Sequence, residues 1–218
     1  AALAELLLDP VVVEEKIDGS QFSFGLFDDG LRARSKGAVL DIDQPEKMFA
    51  EAVATVKQLS LHPGWTYRAE WLQKPKHNTL AYARRPKDGI ILFDVSTGLE
   101  KYLSPIEKAA EASRLGLEVV PKYPATRLDS ADTLMEFLTF TSVLGGTPVE
   151  GVVVKNYARF GRDGHALMGK FVSEQFKETN KLNWRADNPT KQDVVEHLIE
   201  TLRTDARWLK SVQHMAEA

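Results

Sequence analysis

Val11-Val12-Val13 is an unbroken β-branched run that closes on Glu14-Glu15-Lys16, the pattern of a buried strand ending in a lysine. Phe22, Phe24 and Leu26 then alternate with Gln21, Ser23 and Gly25, which predicts a strand with one apolar face. Asp28-Asp29-Gly30 is a hairpin turn signal, and Leu31 to Ser35 is the returning strand, with Arg32 and Arg34 on one face. Pro45 to Leu59 is predicted as an amphipathic helix, since Phe49, Val53 and Val56 recur at helical spacing and Pro45 suits a first turn. Trp65 to Leu72 and Ile90 to Val95 read as strands, separated by a basic loop from Gln73 to Lys87 and a turn at Pro86 to Gly89. Ser104-Pro105, with Glu107 three residues after the serine, opens a second helix.

Leu117 to Tyr123 is a short predicted strand, and Asp129 or Ser130 to Val143 a third helix ended by Gly145-Gly146. Glu150-Gly151-Val152-Val153-Val154-Lys155 reads as a buried strand with a carboxylate at one end and a lysine at the other; Ala166 to Val172 is another, with Lys170 near its end. Ala1 to Leu8 reads as a helix with neither the basic leader nor the cleavage site of a signal peptide. From Lys191 to His214 the periodicity is helical throughout, with Arg203, Arg207 and Lys210 offset by Glu196, Glu200 and Asp205. The expected fold class is α+β: antiparallel sheets with flanking helices over residues 1–180, then a helical C-terminal segment over 181–218. The chain stops inside an amphipathic pattern, so this tail is expected to be cut short.

Composition narrows the chemistry. The chain has 218 residues, 43% of them hydrophobic, enough for a sizeable core. No apolar run reaches the roughly 18 residues a membrane span needs. Cysteine is absent, which excludes disulfides, thiolate zinc sites and cysteine nucleophiles and fits a cytoplasmic setting; the scattered histidines make a zinc site unexpected. A net charge of −3 argues against a non-specific nucleic-acid coat, yet it permits a basic cleft on an acidic body.

Seven charges stand in or beside apolar strands: Lys16, Asp18, Arg34, Glu70, Glu150, Lys155 and Lys170. Each alone reads as a solvated strand end. Together they make sense if they converge on a polyanion and a metal, because isolated charges at such positions are costly. Lys16 is the candidate nucleophile. Burial and neighbouring cations would favour its uncharged amine, and Gly19 allows a tight turn beside it.

In this order the segments resemble the motifs of the covalent nucleotidyltransferase superfamily of RNA ligases, DNA ligases and capping enzymes. Lys16-Ile17-Asp18-Gly19-Ser20 is similar to its nucleophile motif, and Arg32-Ala33-Arg34-Ser35-Lys36-Gly37 to its arginine motif. Tyr67-Arg68-Ala69-Glu70-Trp71 and Ile91-Leu92-Phe93-Asp94-Val95 resemble the next two, and Glu150 to Lys155 the Glu-Gly-x-x-x-Lys motif. Leu167-Met168-Gly169-Lys170 stands at the fifth, where Met168 replaces the usual first lysine and Lys177 is a candidate substitute. The resemblance covers roughly residues 10 to 178 and is nearest to RNA ligases of the T4 RNA ligase 2 kind, including phage and bacterial relatives. The Ser20 to Phe24 segment and the Gln73 to Tyr82 loop add to that likeness.

The resemblance implies an ATP-grasp-like adenylyltransferase domain that seals RNA ends, 5′-phosphate to 3′-hydroxyl, through a lysyl-AMP, with ATP as AMP donor and Mg²⁺ or Mn²⁺ as metal. Lys16 would carry the AMP. Glu15, Asp18, Gly19, Arg34, Glu70, Phe93, Glu150, Lys155 and Lys170 would bind the nucleotide. Phe93 would stack on the base, Glu70 take the ribose, Glu150 hold the metal, and Lys155 and Lys170 grip the α-phosphate and lower the pKa of Lys16. The Glu15 backbone or the Glu14 side chain would read adenine. Lys36, Lys74, Lys76, His77 and Arg84 are candidate nucleic-acid contacts; a solvated basic loop is the equal alternative. Expected partners are RNA ends, a nicked duplex among them, met by a monomer away from membranes. Rivals are a DNA nick ligase or a capping enzyme, against which the short helical tail speaks because both carry an OB-fold there. A non-catalytic nucleic-acid-binding module is a further rival. A kinase lacks its glycine loop here.

Overall fold

The computed structural model describes residues 6–7, 10–124, 131–161, 163–173 and 177, the last as a lone helical position. The chain divides into two units, Ala1–Phe176 and Lys177–Ala218. The predicted tail helix with its charged stripe, most of the Ala1 to Leu8 helix and the start at Asp129 or Ser130 lie outside the described residues.

Two sheets form the first unit. One has the strand order β11-β10-β1-β9, with β1 at Val12–Lys16, β9 at Lys122–Tyr123, β10 at Gly151–Phe160 and β11 at Ala166–Val172. The other has the order β4-β3-β2-β5-β6-β7, with β2 at Ser20–Phe27, β3 at Gly30–Ser35, β4 at Val39–Leu40, β5 at Thr66–Trp71, β6 at Ile90–Gly98 and β7 at Lys101–Tyr102. All pairings are antiparallel except that of β8 (Glu118–Val119), which runs parallel to β6. The described helices are α1 (Ala50–Val56), α2 (Pro105–Leu115) and α3 (Ala131–Phe137).

Strand alternation sorts the side chains. Phe22, Phe24, Ala33, Tyr67, Trp71 and Leu92 leave one face of the larger sheet and pack with Phe49, Val53 and Val56 around α1. Val13, Val152 and Val154 leave the smaller sheet and pack with Leu134 and Phe137 of α3. The opposite faces carry the charges and meet between the sheets, closed at one end by Ile17, Leu72, Tyr82, Ile91 and Leu144.

Three elements differ from their sequence patterns. The helix expected over Pro45 to Leu59 is regular only at Ala50–Val56: the Met48 carbonyl, which a longer helix would use internally, accepts from the Trp71 indole at 2.9 Å. The strand expected at Leu117 to Tyr123 splits between the sheets, and Pro121, which has no N–H to give a ladder, sits at the crossing. The helix expected to reach Val143 ends at Phe137, where Leu138, Thr139 and Phe140 bond three residues back and the Phe137 and Phe140 rings close on Tyr123. The capping box at Ser104 and Glu107 forms as its spacing predicts.

Candidate active site

Lys16 is the last residue of β1 and pairs with Gly151, the first of β10. That register sets its amine beside Glu150, whose two carboxylate oxygens each lie 2.7 Å from Nζ. Gly151 is required here: a Cβ would stand 2.2 Å from the Phe171 carbonyl oxygen. The Lys16 side chain keeps 26% exposure, while that of Glu150 keeps 6%, so the amine is the accessible member of the pair. Glu70 projects from β5 toward the same amine, opposite Gln21. Gly19 lets the β1–β2 connection lie against β5, where a Cβ would meet the Trp71 carbonyl and the Glu70 Cβ at 3.0 Å.

The electrostatics correct one expectation. Burial pushes the Lys16 amine toward neutrality, but Glu150, then Glu70 and Asp18, outweigh it and hold its pKa above the ordinary lysine value. The charges that act most on Lys16 are carboxylates, so in the free chain its amine is not lowered as neighbouring cations were expected to lower it. Burial pushes the Glu70 carboxyl up to about 8, relieved by Lys16 and reinforced by the negative Glu150 and Asp18. Burial likewise raises Glu150 against the pull of Lys16. The site therefore has more acidic than basic character around one amine.

Asp18, Gly19 and Ser20 hold the basic loop. One Asp18 carboxylate oxygen accepts from the Thr79 and Leu80 backbone N–H groups at 2.8 Å each, and the Asp18 N–H donates to the Tyr82 hydroxyl at 2.7 Å. The Asn78 amide donates to the Gly19 carbonyl at 2.8 Å. His77 accepts from the Gln73 N–H through Nδ1 at 3.1 Å, which leaves Nε2 to donate to the Ser20 hydroxyl 2.9 Å away. Burial holds the His77 pKa down, consistent with that neutral tautomer. Ala83 and Arg84 continue the anchoring onto the Gly145 and Leu144 carbonyls. The loop that reads as flexible and basic is thus fastened at both ends and along its middle. Asp18 acts as its pin.

Lys155 departs furthest from the role expected of it. Its side chain is 2% exposed, and its amine contacts Glu14 at 2.7 Å, the Phe93 carbonyl at 2.7 Å and Asp94 at 3.0 Å. Lys108, from α2, reaches the same Glu14 and donates to the same Phe93 carbonyl at 2.8 Å. Tyr157 donates to Asp94 at 2.9 Å. Lys155 is a buried framework cation, with its donors already taken. No motif includes Lys108, and Asp94 stands in the Ile91 to Val95 motif without a role assigned to it, although a carboxylate inside an apolar strand, and the stripe Lys108, Glu111, Ala112 and Leu115 along α2, were signals available in the sequence.

The remaining expected residues divide. Lys170 sits opposite Val153 on β11, exposed, on the face that carries Lys16, and its charge acts on Glu150. Arg34 lies opposite Ser23 on the inner face of the larger sheet. Lys36 is exposed past the end of β3, near enough for its charge to act on Glu70. Phe93 is partly buried, its ring 5.8 Å from the Lys155 amine. Glu15 points the other way from Lys16: it is 2% exposed and accepts from the Val143 N–H at 2.9 Å. Lys74 and Lys76 are exposed on the loop, whereas Arg84 is engaged bidentately by Glu118 at 2.8 and 2.9 Å.

Among the described residues no three acidic or histidine side chains form a ready-made metal cage. Glu150 and Glu70 are hard oxygen donors of the kind magnesium and manganese take; burial first, and then the negative charges of Glu150 and Asp18, lift Glu70 to about 8, and a divalent cation would relieve that second contribution.

With this geometry in place, the comparisons decide the family. The chain belongs to the RNA ligase family, whose model matches residues 9–172. Solved structures of the Naegleria gruberi RNA ligase share the fold. A glutamate-to-alanine mutant with ATP and Mn gives a TM-score of 0.64 at 18% identity, covering 82% of this chain and 54% of that one. A lysine-to-methionine mutant with AMP and Mn gives 0.59 at 18% identity, covering 82% and 54%. The form with pyrophosphate gives 0.58 at 18% identity, covering 81% and 53%. This chain thus spans about half the length of those proteins. No curated protein matches the chain.

Proposed function

We propose that this chain is the adenylyltransferase part of an ATP-dependent RNA ligase, joining 5′-phosphate to 3′-hydroxyl ends. The observation that carries the reading is the Lys16 amine: accessible, held by both oxygens of Glu150, and placed where two charged sheet faces meet. In the first step the deprotonated Lys16 nitrogen attacks the α-phosphorus of ATP. A nitrogen–phosphorus bond forms, the bond to the β-phosphate oxygen breaks, and pyrophosphate leaves. The AMP is next transferred to an RNA 5′-phosphate, which frees Lys16; attack by the 3′-hydroxyl then seals the strand and releases AMP.

In the free chain Lys16 is protonated, so it must shed a proton before it attacks. The negative charge of Glu150 opposes that loss, and drawing this charge off the amine favours it. A divalent cation, when bound, supplies positive charge for the phosphates, and Glu150 and Glu70 are the residues that would hold it. Lys170 would face the phosphates, Arg34 the strand bearing the 5′-phosphate, Phe93 the base, and Lys36, Lys74 and Lys76 the RNA backbone. Asp18 and His77 serve by positioning the loop beside the nucleophile, and Lys155 by fixing the frame.

Incubation with ATP and Mg²⁺ or Mn²⁺ followed by intact-mass measurement tests the reading. One AMP is expected on the wild type and none on Lys16→Ala. An adduct that persists in Lys16→Ala, or no adduct on the wild type, removes the proposal. Sealing of nicked duplexes with RNA or DNA on the 3′-hydroxyl side tests the substrate; equal sealing of DNA favours a DNA nick ligase.

A further inference from the structure

We infer that Lys108, which no nucleotidyltransferase motif includes, is a positioning residue for the nucleotide base, acting through the backbone carbonyl of Phe93. The inference rests on the reading that Phe93 stacks on the base.

The argument starts from the strand pairing. Arg68 lies opposite Asp94 and Ala69 opposite Leu92, so Phe93 is an extra residue on β6, a bulge. The bulge breaks the alternation that would send Phe93 and Asp94 to opposite faces. Leu92 and Val95 enter the core of the larger sheet, while Asp94 meets Lys155 and the Phe93 ring lies 5.8 Å from the same amine. A bulge leaves its residue outside the regular ladder, so something else must hold it. Here two ammonium groups do so. Lys108 donates to the Phe93 carbonyl at 2.8 Å and Lys155 at 2.7 Å. Both also bind Glu14, two residues before Lys16 on the same face of β1, so one carboxylate and one carbonyl receive two lysines that are each 2% exposed in their side chains.

The two lysines are not equivalent. Lys155 has Asp94 as a third partner and stands on β10, whose pairing with β1 is continuous from Gly151 to Lys155. Lys108 comes from a helix. Through it α2 reaches both the bulge and the strand of the nucleophile. Its burial is anomalous for its helix: Ile106 nearby is 83% exposed while Lys108 is 1% exposed. The helix thus turns a cation inward and an isoleucine outward. That orientation sets Lys108 at the Phe93–Glu14 junction on the same face that buries Ala112 in the core.

The test is a double-mutant cycle read in adenylylation kinetics at varied ATP, with wild type, Lys108→Met, Phe93→Ala and the double variant. Lys108→Met is expected to raise KM for ATP about tenfold with kcat within about twofold, and to add less than about twofold to KM in the Phe93→Ala background. An equal effect of Lys108→Met in both backgrounds overturns the proposal, because a general structural role needs no aromatic ring. A fall in kcat with KM unchanged also overturns it. If Phe93→Ala raises KM but Lys108→Met does not, the Lys108 proposal fails alone; if Phe93→Ala leaves KM unchanged, the stacking reading fails and takes this inference with it. Should Lys108→Met not fold, Lys108→Arg keeps the charge and alters the approach to the carbonyl. It is expected to give a smaller KM rise that also vanishes without the Phe93 ring, and persistence of that rise overturns the proposal.

Discussion

Two lysines on the same face of one sheet, Lys16 and Lys155, meet opposite environments. Lys16 ends a strand at the mouth between the sheets, keeps a quarter of its side chain exposed and has carboxylates for neighbours. Lys155 lies deeper, shares Glu14 with Lys108 and has three oxygen partners. Both are paired, yet only the first pair can be exchanged for a ligand without opening the core. The Lys16–Glu150 pair has one member that water reaches, so replacing its amine disturbs the core less than replacing one in a set that is buried on both sides. Removing one member of a buried set leaves an uncompensated charge and costs about 3–5 kcal/mol. Charge at a strand end therefore serves chemistry or architecture according to whether water can reach it.

The comparison breaks most readily by thermal unfolding. Lys155→Met is expected to lose about 3–5 kcal/mol, a fall in Tm on the order of 10 °C at this size, whereas Lys16→Met lowers Tm by less than half as much, because its amine reaches water. Equal Tm values for the two would erase the distinction. Lys170→Met sharpens it from the other side. Exposed on β11, Lys170 should contribute nothing measurable to Tm, but its loss should slow adenylylation by about 10- to 100-fold, read by the rate of mass gain with ATP.

Glu70 offers a pH test. Its folded-state pKa, about 8, lies above the ordinary carboxyl value, so the folded chain binds the proton more tightly than the unfolded chain. That contribution to stability is complete below about pH 4.5, declines as pH rises, and is gone above about 8. Glu70→Gln should abolish this slope and raise Tm by about 2–4 °C at pH 9, with little change at pH 5; a Tm difference independent of pH would contradict the placement of that carboxyl. The smallest effect concerns His77. Its lowered pKa means that the Ser20–His77–Gln73 link is intact above about pH 6.5 and weakens as pH falls through the depressed value. Backbone exchange in residues 73–80 should rise selectively as pH drops toward 5, after correction for intrinsic rates, and His77→Ala should remove that pH dependence.

Much of this was legible along the chain. The alternation at Gln21 to Leu26 located an apolar face, and strand pairing placed Phe22 and Phe24 in the core as that pattern requires. The ends at Lys16 and Glu150 were read from a charge adjoining an apolar run, and the cap at Ser104 from its spacing. Other features were not legible. Nothing local in Phe93-Asp94 signals a bulge, because a bulge is a relation between two strands. The stripe of Lys108, Glu111, Ala112 and Leu115 along α2 shows which face turns inward, but not that Lys108 meets Glu14 and Phe93, both distant in sequence.

By itself, then, the sequence determined where the longer strands lie, which of their faces are apolar, and which charges stand at the ends. Periodicity and turn chemistry act over a few residues, so a linear reading captures them. Only the tertiary structure decided which charges meet. Glu150 found Lys16, Glu14 found Lys155 and Lys108, and Asp18 found the loop at Thr79, because each match depends on register between segments 61 to 141 residues apart and on how much water remains between them.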